Sequence, residues 1–283
     1  MASAPYEFLI YDKQDHRVTI TLNRPQKLNA LNEALTREFE AAMYQAEDDN
    51  DVRVVVLKGA GRGFCSGHDY SKENFVPGER ETGHDTEMHR IDFSKRLRSY
   101  MRVWEIPKPV IAQIHGPCIA AATLLATSAD LVVVADDAKI GPVEAAPGMV
   151  MGLIWGGWLP LVGLRKTKDF AFLHGTMNGK EAEQCGWATK SVPPDQLDKT
   201  VDDMAAEIAR VPLEILMMKK LAINRSANRM GIRDMMEINF EMSLAGHFSN
   251  TRERQGARIE AEGFKSVMAD WKAGIRYDRN QKR

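Results

Sequence analysis

Cysteine is scarce in this chain. Only Cys65, Cys118 and Cys185 occur in 283 residues. The number is odd and no two stand at a metal-ligand spacing, which argues against a disulfide framework and for reduced thiols. An excess of one charge is also lacking: 38 Lys and Arg against 39 Asp and Glu leave a formal charge of −1. Such a balance gives no global footprint for nucleic acid or an anionic membrane. No apolar run approaches the length of a membrane span. Met1 to Pro5 lacks the charged and apolar regions of a signal peptide, and Asn280-Gln281-Lys282-Arg283 is not a peroxisomal Ser-Lys-Leu tail. The expectation is a cytoplasmic protein without low-complexity tracts or strictly periodic repeats.

What is present is an ordinary globular composition, 44% hydrophobic, in a chain long enough for one large domain or a domain with an appendage. Residues 6–11 and 17–22 read as short strands joined by a polar turn from Asp12 to His16. Asn32 can cap a helix running to about Glu47, with Leu35, Phe39, Ala42 and Met43 on one face. Residues 52–57 are a β-branched run with the character of a strand buried on both faces. Val110–Ile114 and Leu131–Ala135 read the same way.

The turn after the first of these strands carries most of the functional signal. Gly59-Ala60-Gly61-Arg62-Gly63-Phe64-Cys65-Ser66-Gly67-His68-Asp69 places four glycines in nine residues. Such backbone can turn sharply and approach a ligand closely. It reads either as a surface turn or as a cradle aiming N–H groups into a cleft. Farther on, Pro117 suits a first helical turn, and Cys118 to Ala126 reads as a helix of small apolar residues buried nearly all round. Its N-terminal N–H groups and positive dipole end favour an anion.

Between these stretches, residues 71–92 are polar and aperiodic and read as a loop. His84, Asp85 and His89 lie there without a complete coordination set, so a solvated loop outweighs a metal site. A helix is expected from about Ile91 to Trp104. Glu144, flanked by Pro142-Val143 and Ala145-Ala146-Pro147, is either a surface carboxylate or a desolvated acid of raised pKa. Trp155, Gly156, Gly157 and Trp158 suggest tight packing or an apolar wall. The pattern turns helical from Thr167, with Met235, Ile238 and Met242 on one stripe and Ile232, Met236, Phe240 and Leu244 on another. Those stripes suit the core or another subunit. Strands alternating with helices to about residue 190, then helices alone, define an α/β class with a helical appendage. The division expected is 1–200 for the core and 201–283 for the C-terminal helices.

Three stretches together resemble the crotonase superfamily, the enoyl-CoA hydratase/isomerase family. They are Asn23-Arg24-Pro25-Gln26-Lys27-Leu28-Asn29-Ala30-Leu31, Gly63 to Asp69, and Pro107-Lys108-Pro109-Val110-Ile111-Ala112 with Gly116. Ala129-Asp130-Leu131 and Lys139-Ile140-Gly141 agree in order and spacing, and the resemblance covers about residues 6–230. It implies a spiral of β-β-α turns, C-terminal helices that build a homotrimer or a hexamer of two trimers, and an acyl-CoA thioester as substrate. No separate cofactor is implied, because coenzyme A belongs to the substrate. By position, the main chains of His68 and Ala121 become the two donors to a thioester enolate and Glu144 an acid/base. Lys27 becomes a coenzyme A contact, with Ser66, Gly67, Asp69, Leu124 and Trp155 completing the expected substrate-binding set.

Departures from the family pattern bear on the reaction. Ala120-Ala121-Ala122 stands where hydratases carry glycines, and Leu124 stands where they carry a catalytic glutamate. Loss of that carboxylate weakens syn-hydration, whereas one glutamate suffices for a 1,3-proton shift. Gly152 occupies the position of the dehalogenase aspartate nucleophile, which argues against that branch. Phe264-Lys265 could reach a neighbouring subunit's coenzyme A or be plain surface. The expectation is double-bond isomerisation of an enoyl-CoA. The rivals are a specialised hydratase, a CoA-thioester hydrolase or C–C lyase, and a catalytically silent acyl-CoA binder.

Overall fold

The computed structural model describes residues 6–69, 71, 86–142, 152–173 and 175–247, with 249, 254, 257–258, 261–263, 266–267 and 269–270. Strands β1 (Leu9–Gln14) and β2 (Arg17–Leu22) form an antiparallel hairpin. The ladder runs on to Gln14 opposite Arg17, so the turn shrinks from the expected Asp12–His16 to Asp15-His16. Asp15 takes φ 50°, a left-handed value that a short polar residue tolerates. In β2, Val18, Ile20 and Leu22 are fully buried while Arg17, Thr19 and Thr21 are only partly so. One face of that strand is core and the other is half wet.

Helix α1 (Glu33–Asp48) begins where Asn32 accepts the Leu35 N–H at 2.9 Å. It buries Leu35, Phe39, Ala42, Met43 and Ala46. Strands β3 (Val54–Gly59) and β4 (Val110–Ile114) flank helix α2 (Thr86–Glu105) in sequence. The helix therefore starts before Ile91, because Thr86 to Arg90 contain no glycine or proline to stop it. Short β5 (Pro117–Ile119), helix α3 (Ala121–Thr127), strand β6 (Leu131–Ala135) and short β7 (Lys139–Gly141) follow. Helix α4 (Gly152–Leu173), interrupted at Gly163, and α5 (Gly179–Gln184) precede β8 (Lys190–Val192). Three further helices are α6 (Leu197–Ala209), α7 (Leu213–Arg229) and α8 (Ile232–His247).

The large sheet runs β1-β2-β3-β4-β6-β8, parallel from β2 onward. A second, shorter layer pairs Leu31 with His68, Cys65 with Cys118, β5 with β7, and Ile140 with Met177. Each passage of the chain thus gives one strand to the large sheet and one short pairing to the small layer, then crosses back by a helix. Right-handed parallel crossovers stack such passages into a spiral.

Several sequence expectations shift against this frame. Pro117 and Cys118 lie in β5 rather than in a helix, because Pro117–Ile119 pairs with Lys139–Gly141. Gly156 and Gly157 lie inside α4. Gly157 lets α3 close: an added Cβ would meet Thr127 Cγ2 at 3.0 Å. Trp158 is fully buried against Phe170 and Trp187, so it is core rather than a pocket wall. The boundary expected between residues 200 and 201 falls inside α6. That helix is tied to the sheet, with Asp198 accepting from Gln113 at 2.6 Å and Lys58 at 3.1 Å, and Ala209 O accepting from Arg53 at 2.7 Å.

Candidate active site

The glycine turn and the start of α3 come from neighbouring passages of the spiral, and the small layer brings them together. Cys65 donates its N–H to Pro117 O and accepts from Ile119 N–H, both at 3.0 Å. On the opposite side Ser66 N–H donates to Leu28 O at 3.0 Å, and Gly67 O accepts from Leu31 N–H at 2.7 Å. In a trans peptide the C=O and N–H point opposite ways. With Gly67 O turned toward Leu31, the His68 N–H is turned toward the side of β5 and α3.

Gly67 sits at φ 90°, and a Cβ there would stand 2.9 Å from Ile119 O, 3.0 Å from Ala120 Cβ and 3.4 Å from Ala121 N. Only glycine allows that approach. Ala121 is the first residue of α3, where N–H groups have no partner within the helix. The preceding Ala120 takes φ 51° and ψ −120°, held by its N–H on Gly141 O at 3.0 Å. For a residue with a Cβ this is strained backbone of the kind that collects at functional sites.

The glycine turn is clamped from behind. Asn29 Nδ2 donates to Ala60 O at 2.8 Å, Gly63 O at 2.9 Å and Phe64 O at 3.1 Å, while its Oδ1 accepts the Arg24 N–H at 2.9 Å. The Arg24 guanidinium donates to Ala30 O and pairs with Asp69 at 2.9 Å. Burial pushes the Asp69 carboxyl up, but the hydrogen bonds from Ser71 and the Arg24 charge outweigh it and hold the group below the ordinary carboxylate range. Asp69, expected among the substrate contacts, is placed by the structure in this buried ion pair. The Cys65 thiol is pushed up to about 12 by burial, and Cys118 is raised likewise. Neither has the character of a nucleophile.

Lys27 closes a short 3₁₀ turn, Pro25–Lys27, and is exposed. The Ser66 hydroxyl reaches Lys27 O at 3.4 Å, so these two expected contacts stand together beside the turn. Leu124, 1% exposed, lies one helical turn beyond Ala121 and faces α4, with its Cδ1 3.6 Å from a Cβ built at Gly157. Trp155 stands on the same α4 segment, edge-on to Trp158 at 6.4 Å. Glu144, in the connection between β7 and α4, lies outside the described residues, as do Phe264-Lys265 and the 72–85 stretch with His84 and Asp85; of the His89 side chain nothing is described.

Sequence reasoning missed Tyr100. It projects from α2 and is 5% exposed, and its hydroxyl is hydrogen-bonded to His68 Nε2 at 3.1 Å. Nothing in the spacing of residues 68 and 100 signals that contact. Asn29 and Arg24 stood inside a quoted motif, but the motif gave them no role.

Two backbone segments carrying N–H groups thus converge across a glycine within a parallel spiral, an arrangement able to meet an anion. Comparison with known proteins identifies the family. The family model described as enoyl-CoA hydratase/isomerase matches residues 13–270. A probable enoyl-CoA hydratase of Rhizobium meliloti (strain 1021) is 32% identical over 280 residues, covering 95% of this chain and 94% of that one. The 1,2-epoxyphenylacetyl-CoA isomerase of Escherichia coli (strain K12) is 28% identical over 87% of this chain and 93% of its own. Among solved structures, an enoyl-CoA hydratase/isomerase from Xanthobacter autotrophicus Py2 superposes with a TM-score of 0.85 at 27% identity, covering 97% of this chain and 100% of that one. The chain belongs to the enoyl-CoA hydratase/isomerase family and has the crotonase fold.

Proposed function

We propose that this enzyme isomerises the double bond of an enoyl-CoA thioester, with His68 and Ala121 N–H groups holding the enolate and Glu144 carrying the proton. The observation that carries the reading is Leu124. The α3 segment Ala121–Thr127 presents no carboxylate, and the side chain at the hydratase glutamate position is apolar and packed against α4. With one carboxylate there is no second acceptor to position and deprotonate water. A 1,3-shift needs none.

In that reaction the thioester oxygen accepts the two main-chain N–H groups. Glu144 takes a proton from C2 of a 3-enoyl-CoA, and the C–H electron pair spreads into the dienolate. The same proton returns at C4, leaving the double bond between C2 and C3. Two fixed donors lower the enolate's cost by several kcal/mol, on the scale of about 2.7–4 kcal/mol lost when a single such donor is removed. Exposed Lys27 is proposed to meet the coenzyme A phosphates as a point charge, with Ser66 and Gly67 lining the thioester and Leu124 and Trp155 the acyl side. The 1,2-epoxyphenylacetyl-CoA isomerase relative supports isomerisation within this family. The apolar faces left by α4, α7 and α8 support assembly into trimers or into hexamers of two trimers.

The test is mass spectrometry of pooled 2-enoyl- and 3-enoyl-CoA thioesters in ¹⁸O-water. A product of unchanged mass with a migrated double bond, lost in Glu144→Gln while coenzyme A still binds, is expected. Incorporation of one labelled water overturns the argument from Leu124 and makes the enzyme a hydratase. Free acid or a shortened acyl-CoA assigns a hydrolase or C–C lyase instead. An unaltered pool on a broad thioester panel favours a silent acyl-CoA binder.

A further inference from the structure

We propose that Tyr100 is a positioning residue for the oxyanion site, acting on its first donor through the His68 ring. The inference rests on the enolate reading above and goes beyond it by assigning a support that lies 32 residues away in sequence.

The donor in question is the N–H of the peptide joining Gly67 to His68. Gly67, at φ 90°, lacks the side chain that would restrict its own rotation. On one side the peptide is held through Gly67 O on Leu31 N–H, and beyond it Asp69 N–H donates to Leu31 O at 2.9 Å. Both ties lie toward Leu31. A further tie comes from the His68 side chain, whose Nε2 is hydrogen-bonded to Tyr100 Oη at 3.1 Å with the rings inclined at 58°. Holding the far end of the ring restrains χ1 and narrows the range of φ at residue 68, so the peptide that carries the N–H is held through its side chain as well as its main chain. A catalytic donor is effective when its supporting shell locks it before the charge develops.

Tyr100 is itself mounted rigidly. Ser99, Tyr100, Met101 and Val103 are all buried along the end of α2, as is Ile106 just beyond it. The carbonyls that close that helix are capped from α7, Val103 O by Lys220 at 3.3 Å and Trp104 O by Asn224 at 2.9 Å. Arg102 pairs with Glu47 and lies 3.9 Å over the Tyr44 ring of α1. The hydroxyl that meets His68 is therefore carried on an element anchored to two others.

Enolisation of acetoacetyl-CoA gives a direct readout. Its C2 proton leaves to buffer or protein, the C–H electron pair moves onto the oxygen, and the enolate absorbs in the near ultraviolet. Wild type, Tyr100→Phe, His68→Ala and the double variant are titrated with acetoacetyl-CoA, and separately with coenzyme A. His68→Phe, which keeps a ring without nitrogen, replaces His68→Ala if that variant folds poorly. Tyr100→Phe should lower the bound enolate-to-keto ratio about tenfold, less than the 10²–10³ of losing a donor outright, with coenzyme A affinity within about twofold. In the His68→Ala background the same change should have no further effect, because its route is gone. An unaltered ratio in Tyr100→Phe, or an equal loss in both backgrounds, overturns the proposal. A wild type that binds coenzyme A and never shows the enolate overturns the enolate reading itself, and this inference with it.

Discussion

Ala120 holds φ 51° and ψ −120° between β5 and α3, a conformation that glycine adopts without penalty. An alanine there carries strain of about 1–3 kcal/mol, partly offset by the smaller entropy it loses on folding. Ala120→Gly is therefore expected to stabilise the protein by about 1 kcal/mol in denaturant titration; a loss of stability would mean the backbone is not strained. Asp69 gives a second residue-scale prediction. Its folded pKa is depressed, so the stability it contributes is fully present above the unfolded value of about 3.9 and is lost as pH falls through the folded one. The stability gap between wild type and Asp69→Asn should be constant from neutral pH to about 5 and close below about 4. A gap that opens on acidification contradicts the sign. At this scale the sequence made the glycine turn and the small-residue helix legible, and the structure brings Gly67 to the start of α3, where a Cβ would stand 3.4 Å from Ala121 N. The sequence could not show that Asp69 turns inward, because its partner Arg24 lies 45 residues away. Tyr100 was hidden for the same reason.

At the scale of elements, legibility followed burial. β3, β4 and β6 are rich in Val, Leu and Ile and almost wholly buried, and α1 announces its own start with Asn32. The short layer was illegible because its pairings are single bridges or three-residue strands, set by the spiral and not by local propensity. That is why a strand at Pro117–Ile119 read as the beginning of a helix. The docking of α7 was equally hidden, since it depends on a buried lysine whose partners lie 90 residues and more away in sequence. Lys220 is buried and donates to Asp130 at 2.7 Å, Lys108 O at 3.0 Å and Val103 O at 3.3 Å. Burial lowers the Lys220 pKa and raises that of Asp130, against their mutual attraction. Removing one partner strands the other, so Lys220→Met should cost about 3 kcal/mol by chemical denaturation. Adding Asp130→Asn should recover at least about 1 kcal/mol of that, as paired removal does elsewhere. Equal loss in single and double variants would show that α7 is held by packing and not by this pair.

Among the described residues, several large apolar side chains stand outward on the helices. On α8 the two expected stripes separate in part: Met236, Phe240 and Leu244 are buried, Ile238 is 63% and Met242 52% exposed, and Ile232 and Met235 are half-buried. Phe172 at the end of α4 is 71% exposed, and Met218 and Ile223 on α7 also stand outward. Isolated exposed apolar side chains are ordinary, but helices that repeat them on an outward stripe mark an interface. The occupant proposed is further copies of this chain, in the closed trimers or paired trimers that the family resemblance implies. Sedimentation equilibrium should return three or six times the 31.7 kDa chain mass. Ile238→Glu with Met242→Glu should reduce that mass, because two carboxylates cannot be buried unpaired in an apolar contact. The core-facing stripe is untouched by these changes, so the helix content of the variant should match wild type by circular dichroism. A wild type that sediments as a single chain removes the reason for the exposed stripe. A doubly substituted variant that keeps its full mass moves the interface off α8, toward Phe172 and the exposed face of α7.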